Sequence, residues 1–546
     1  MKKTWFIALI VIVVITGVSY AQESGLGKID FPNSGSAEAQ LAFLNGMGMV
    51  HSFEWEDAIE SFQEAQKIDP DFVLAYWGEA LSHYEGHHFE PNSTDVPAGR
   101  AALQKLGRTK KERLDKAPND RERGYLEAVE LLYGAGSPEE RTQAYSDRMA
   151  ALWKAYPEDH EAASLYALSL MRAKVWGPES LRSDMQAGAI AQMVLRANPD
   201  HPGAAHYVIH AYDDPIHAPI ALYAAYKYSD IAPSAVHALH MPAHIFVQHG
   251  MWDRVVERNV ESYAASVERA KRKGLSPTRH SWHALYWLQY AYLQQGQYDK
   301  AQECVDELKA IASREDATRY IANTVMRMES LQIAESEKWK VQDIDTVLAQ
   351  IDGDGDIDER AAAAVLLSNG LSAAHAGDIE AATKSRDGLK RLTAKMEDGA
   401  RGREQVEISW LETAAVLAEA EARHTDALNL MAEAVRITET LVPPQGPPGE
   451  SDTDTPVKPP HELYGEMLLA NGKPAEALVQ YEVSLLRTPN RARSLLGGAR
   501  AAVKVGNTEL ATELYGGLVN LGGAGPELPG RAEAEQFLST ASSEDR

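Results

Sequence analysis

Gly472-Lys473-Pro474-Ala475-Glu476-Ala477-Leu478-Val479-Gln480-Tyr481 and Gly506-Asn507-Thr508-Glu509-Leu510-Ala511-Thr512-Glu513-Leu514-Tyr515 carry glycine, alanine and tyrosine in one phase, 34 residues apart. A glycine turns the chain, a small alanine lets two helices approach, and an aromatic fills the gap between them, so the pair predicts two stacked helix-turn-helix units. The pattern extends outward. Ala58, Phe62, Ala65 and Pro70 stand at the phases of a second helix and its closing turn, Gly296, Tyr298 and Ala301 mark another turn, Gly377 and Ala382 a further one, and Pro199 and Pro233 lie again 34 residues apart. A hydrophobic content of 44% with few aromatic residues agrees with close-packed helices and an all-α chain.

In this spacing the chain resembles the tetratricopeptide repeat family over most of its mature length. The resemblance implies a right-handed superhelical solenoid of antiparallel helix pairs whose first helices line a concave groove. Two stretches interrupt the register. Residues 92–140 hold the basic run Arg108-Thr109-Lys110-Lys111-Glu112-Arg113 and a helix around Tyr125 to Tyr133, and read as an insertion with a solvated charged face. Residues 443–460 contain seven prolines with Gly446 and Gly449 and read as an extended connector ahead of the C-terminal repeats at 461–520, with a tail from 521 to 546. Residues 22–442 form the main solenoid.

The N-terminus runs from Met1-Lys2-Lys3 through an apolar stretch, Trp5 to Val18, to Ser19-Tyr20-Ala21. A basic start, a short apolar run and small residues at the cleavage positions read as a signal peptide over 1–21, and so as export to a periplasmic or extracellular space without stable membrane insertion. Cys304 is the only cysteine, so no intramolecular disulfide and no thiolate metal cluster can form. A formal charge of −25 opposes extended contact with phosphate backbones, and nucleic acid is not expected as a partner.

Chemistry concentrates in the histidines, ten of whose 18 lie between His201 and His283. His206-Tyr207-Val208-Ile209-His210 recurs 34 residues later as His240-Met241-Pro242-Ala243-His244. Two histidines four apart share one helix face, and equal phase in successive repeats directs four imidazoles to one side of the stack. By the family resemblance these positions face the groove, and His237 and His283 fall close by at position 2 of their helices. Neutral imidazole suits zinc, copper, nickel or iron. His206, His210, His240 and His244, with His237 and His283 next, are therefore candidate ligands of a transition metal. His201, His217 and His249 read as helix-end residues.

Carboxylates offer a second set: Glu462 and Glu466, after His461, fall at the same repeat phases as the histidine pairs. His461-Glu462-Leu463-Tyr464-Gly465 is not the zinc-protease motif, since glycine stands in place of its second histidine. His51 and His83 are outer candidates at the N-terminal end. Asp352-Gly353-Asp354-Gly355-Asp356-Ile357-Asp358 resembles the middle of a calcium-binding EF-hand loop, but Gln350 and Ala361 occupy its first and last ligand positions, which leaves a weak calcium site or an acidic loop. No phosphate-binding loop or nucleophile-elbow motif occurs. The segment His237-Ala238-Leu239-His240-Met241-Pro242-Ala243-His244-Ile245-Phe246, with Gly250-Met251-Trp252-Asp253, Tyr76-Trp77-Gly78 and the stretch Lys458 to Glu466 followed by Arg487, Pro489, Arg491 and Arg493, is similar to an exported bacterial subgroup of tetratricopeptide proteins. Three readings follow: a groove that binds a transition metal or a metal-linked small molecule, a metal-free scaffold for a protein or peptide, and a metalloenzyme using Glu462 or Glu466.

Overall fold

The computed structural model describes residues 25–84, 94–173, 180–353, 357–449 and 455–544. Among them the chain forms helices and no strand. It is an all-α superhelical solenoid of antiparallel helix pairs, most helices packed on the next along the sequence. None of the described helices is long and apolar enough to cross a membrane. The signal-peptide reading of 1–21 lies outside the described residues.

The repeat residues act as their chemistry requires. Gly472 and Gly506 have φ of +72° and +78°, the left-handed turn conformation that costs a side chain energy and glycine little. Ala477 and Ala511 are fully buried, and Tyr481 fills the space against Gly465 and Gly497. A Cβ on Gly497 would come within 2.2 Å of the tyrosine ring, so the close helix approach depends on that glycine. Cys304 packs in the interior, where burial pushes its thiol up to about 12.

Three segments differ from the sequence expectation. Residues 92–140 do not stand apart from the stack: Val96–Leu106 and Asp120–Leu132 are helices packed on Val73–Ser82, with Tyr125, Leu126 and Val129 buried. Of the basic run, Arg113 is not solvated but is buried in a two-bond ion pair with Glu130. The proline-rich stretch does not separate the last repeats, because Pro460–Ala470 packs directly on His424–Thr438. Freed from helical geometry by its prolines, that stretch instead runs against the first helices of the repeats. Pro444 and Pro448 present their carbonyls to Gln248 Nε2 (3.1 Å) and the Tyr286 hydroxyl (3.2 Å), and Gln405 Nε2 donates to the Thr455 carbonyl (3.3 Å). Beyond residue 521 the chain forms the Arg531–Glu544 helix, docked on Thr508–Val519.

The C-terminal repeats return to the middle of the superhelix through one buried ion cluster. Arg491, fully buried, donates from Nε and Nη2 to Glu462 (2.7 and 2.9 Å), reaches Glu335 at 2.6 Å, and lies 3.3 Å from the Tyr290 hydroxyl. Lys458 and Ser494 also donate to Glu462. Removing one member of such a cluster leaves uncompensated charge without water. Arg491→Met is expected to destabilise the fold by about 3–5 kcal/mol and to lower the thermal midpoint followed by circular dichroism; an unchanged midpoint would show that the closure does not depend on this charge.

Candidate metal centre

Three successive first helices supply the site. Pro202–Ala211 begins with proline at its first turn and carries His206 and His210; Val236–His240 carries His237 and His240; after a break at Met241, Pro242–Gln248 carries His244; and Trp282–Gln294 carries His283. The first of these helices is fixed by a glycine. A Cβ on Gly203 would lie 2.2 Å from His51 Nδ1, so only glycine lets the end of the Gln40–His51 helix approach so closely.

The six rings form two trios of nearly equal dimensions. In the first, ring centroids are 4.6 Å (His206–His210), 5.0 Å (His206–His237) and 6.3 Å (His210–His237) apart. In the second they are 4.7 Å (His240–His283), 5.0 Å (His240–His244) and 6.3 Å (His244–His283). Within each trio one nitrogen from every ring lies within 4.8 Å of the others. His206 and His240 are fully buried, while the remaining four rings are partly exposed.

Hydrogen bonds at Nδ1 decide what Nε2 can do. His206 Nδ1 is 2.6 Å from the carbonyl oxygen of His51, which only accepts, so this nitrogen donates. Asn259 uses its Nδ2 on the Val255 carbonyl (2.8 Å), which turns its Oδ1 toward His240 Nδ1 at 2.7 Å. His244 Nδ1 donates to Asp213 Oδ2 at 2.6 Å. In a neutral ring so held Nε2 is a bare acceptor: those of His240 and His244 meet at 3.1 Å, and that of His206 lies 3.2 Å from His237 Nε2, which has no such partner fixing its tautomer among the described residues.

Burial keeps three of the rings neutral. Desolvation, joined by the neighbouring imidazoles, holds His237 and His240 well below the ordinary histidine value, and desolvation pushes His206 down to about 3 against a partial opposing effect of the His51 carbonyl.

A third group, His51, Glu161 and His201, has metal-like spacing but a different chemistry. The Ala204 N–H donates to His201 Nδ1 (3.1 Å), so His201 Nε2 donates to Glu161 (3.0 Å). His51 Nε2 lies 2.7 Å from the other carboxylate oxygen, and Tyr207 satisfies its Nδ1 at 2.9 Å. Burial would raise the Glu161 carboxyl, but the two histidines overcome that and hold it well below the usual carboxylate range. His51 is thus a supporting residue, whose carbonyl orients His206, and its ring already has protein partners at both nitrogens.

The structure does not bring the remaining candidates to the trios. Glu462 is committed to Lys458, Arg491 and Ser494, and Glu466 to Lys458 at 2.6 Å. His461 Nδ1 pairs with Gln480, and His83 caps the Val73–Ser82 helix; neither belongs to a group with ligand spacing among the described residues. His201, His217 and His249 occupy helix ends as expected. In the acidic loop, Asp354 to Asp356 lie outside the described residues, while Asp358 caps a helix and accepts from Arg327 and Asn323. Asp213 and Asn259 were not singled out by spacing. Asp213 stands three residues after His210, which was its available signal.

No protein-family model and no curated protein matches the chain. Among solved structures it is similar to the human IFIT1 dimer with m7Gppp-AAAA (17% identity, 90% of this chain and 91% of that one, TM-score 0.34) and to the APC/C hetero-tetramer Cut9-Hcn1 (10% identity, 93% and 96%, TM-score 0.28). Likeness at this level carries nothing beyond the helical architecture already described. Fold and site together define a helical-repeat protein with a half-buried six-histidine cluster.

The neutral rings give a pH signature. The unfolded chain protonates each histidine near 6.5, whereas folded His206 resists protonation until about 3 and His237 and His240 also stay neutral below the ordinary value. Unfolding thus takes up protons, and stability present above pH 6.5 declines as pH falls toward 3, by about 1.4 kcal/mol per pH unit for each such ring. Between pH 6.5 and 5 most carboxylates do not titrate. The melting temperature of metal-stripped protein is expected to drop across that interval, and His206→Gln with His240→Gln to flatten the drop; a slope unaltered by those changes would contradict neutral burial.

Proposed function

We propose that the chain is an exported helical-repeat protein that binds transition-metal ions through two three-histidine sets, His206/His210/His237 and His240/His244/His283. The observation that carries this reading is the convergence of ring nitrogens, the bare Nε2 atoms of His240 and His244 at 3.1 Å and the Nε2 atoms of His206 and His237 at 3.2 Å. Two nitrogens bound to one tetrahedral ion at about 2.0–2.1 Å are themselves about 3.3 Å apart, so the rings stand where a shared ion would put them. Acceptors behind the Nδ1 atoms, at His51, Asn259 and Asp213, are the outer-shell partners that orient metal-bound histidines. An all-imidazole donor set favours zinc, copper, nickel or iron over magnesium and calcium.

A metalloenzyme using Glu462 or Glu466 as base is not supported, because both carboxylates are engaged by buried cations. The scaffold reading retains one supporting observation: Ile216, Ile220, Tyr223 and Tyr226 are exposed on or beside the Ala218–Ile231 helix, as a protein-binding surface would be. Such binding would be insensitive to chelator.

Untagged protein stripped of metal, reloaded with zinc or copper and dialysed is expected to retain two ions per chain by elemental analysis. His206→Ala with His210→Ala is expected to lose one ion, and His240→Ala with His244→Ala the other. A stoichiometry that neither pair alters would refute the assignment.

A further inference from the structure

We infer that the two trios act as one dicopper centre that takes dioxygen between its ions; this rests on the metal-binding reading above. The first ground is proximity. Across the boundary between trios, His237–His240 and His210–His244 ring centroids are both 6.1 Å apart, closer than the 6.3 Å that separates the outer rings within each trio. The cluster is continuous, and two ions held in it share one space.

Charge supplies the second ground. All six donors are imidazoles, which bring no negative charge to an ion, and Asp213 stands behind His244. Two divalent ions would bring four positive charges onto these uncharged donors in a half-buried site, and uncompensated buried charge is strongly unfavourable. Two copper(I) ions bring half as much, and imidazole suits copper. Three-nitrogen coordination is also complete for copper(I), whereas a divalent ion such as zinc takes a fourth ligand, commonly water.

The third ground is the wall of the site. Trp287 lies over His244 at 4.3 Å between centroids and Phe53 against His206 at 4.4 Å, while His210, His237, His244 and His283 remain partly exposed. A molecule as small and apolar as dioxygen can approach these partly exposed rings without losing hydrogen bonds. Once there, dioxygen accepts one electron from each of two copper(I) ions: the O–O bond order falls from two to one, both coppers become copper(II), and the resulting peroxide dianion bridges them. No proton is needed for this step, and the dianion supplies the negative charge that the oxidised pair lacks.

Full-length untagged chain, stripped of metal and loaded anaerobically with two equivalents of copper(I), tests the inference when oxygen is admitted. Uptake of one dioxygen per two coppers is expected, with a new near-ultraviolet charge-transfer band and a copper(II) paramagnetic resonance signal integrating to less than a tenth of the copper present, because the bridged spins couple. His283→Ala, at a partly exposed ring, is expected to abolish the band and the oxygen uptake while His206, His210 and His237 retain one copper. A resonance signal that accounts for all the copper would show isolated ions and overturn the inference, as would retention of zinc but not copper(I) or absence of oxygen uptake by the two-copper protein. Failure to retain any metal would instead overturn the metal-binding reading itself.

Discussion

The site depends on a hydrogen bond made on the far side of three of its rings. By donating from Nδ1 to a carbonyl, an amide oxygen or a carboxylate, His206, His240 and His244 leave Nε2 unprotonated and aimed inward. Without those acceptors the rings would be free to exchange tautomer and donate to one another, and the cluster would be an ordinary polar core. With them, lone pairs face lone pairs at contact distance, an arrangement that gains from a cation placed among them.

The supporting structure is arranged around that constraint. Gly203 admits His51 close enough for its carbonyl to reach His206, and the paired His51 and His201 rings on Glu161 hold the same corner from beneath. On the other side, Asp213 accepts from both His244 and Gln248, and Gln248 in turn donates to Pro444 of the proline-rich stretch. The segment that cannot be helical is thereby tied, through two side chains, to a ring of the second trio. Arg491, with Glu462 and Glu335, draws the last repeats onto the same middle helices. Local turn chemistry and distant ion pairs converge on one set of first helices.

Much of this was legible in the residues. Gly472, Ala477 and Tyr481 and their counterparts 34 positions on specify a turn, a close approach and a filler, and the structure uses them so. The duplicated histidine pairs, together with His237 and His283, meet because repeat phase is a spatial coordinate in a solenoid. Phase alone could not separate Glu462 from His206, although one is consumed by Arg491 and Lys458 and the other is left with a bare nitrogen. Which partner satisfies a buried polar group is a long-range matter: His51 and His206 are 155 positions apart, and Arg491 and Tyr290 are 201 apart. Prolines at 443–460 likewise announce that the stretch is not helical without saying which surface it will cover.

Anomalous diffraction from crystals grown with copper or zinc would address the central claim most directly. The account predicts two anomalous peaks inside the cluster, one bounded by His206, His210 and His237 and the other by His240, His244 and His283, each about 2.0–2.1 Å from its nitrogens. Metal found only at surface residues, with His240 and His244 hydrogen-bonded to each other as in an ordinary core, would contradict it.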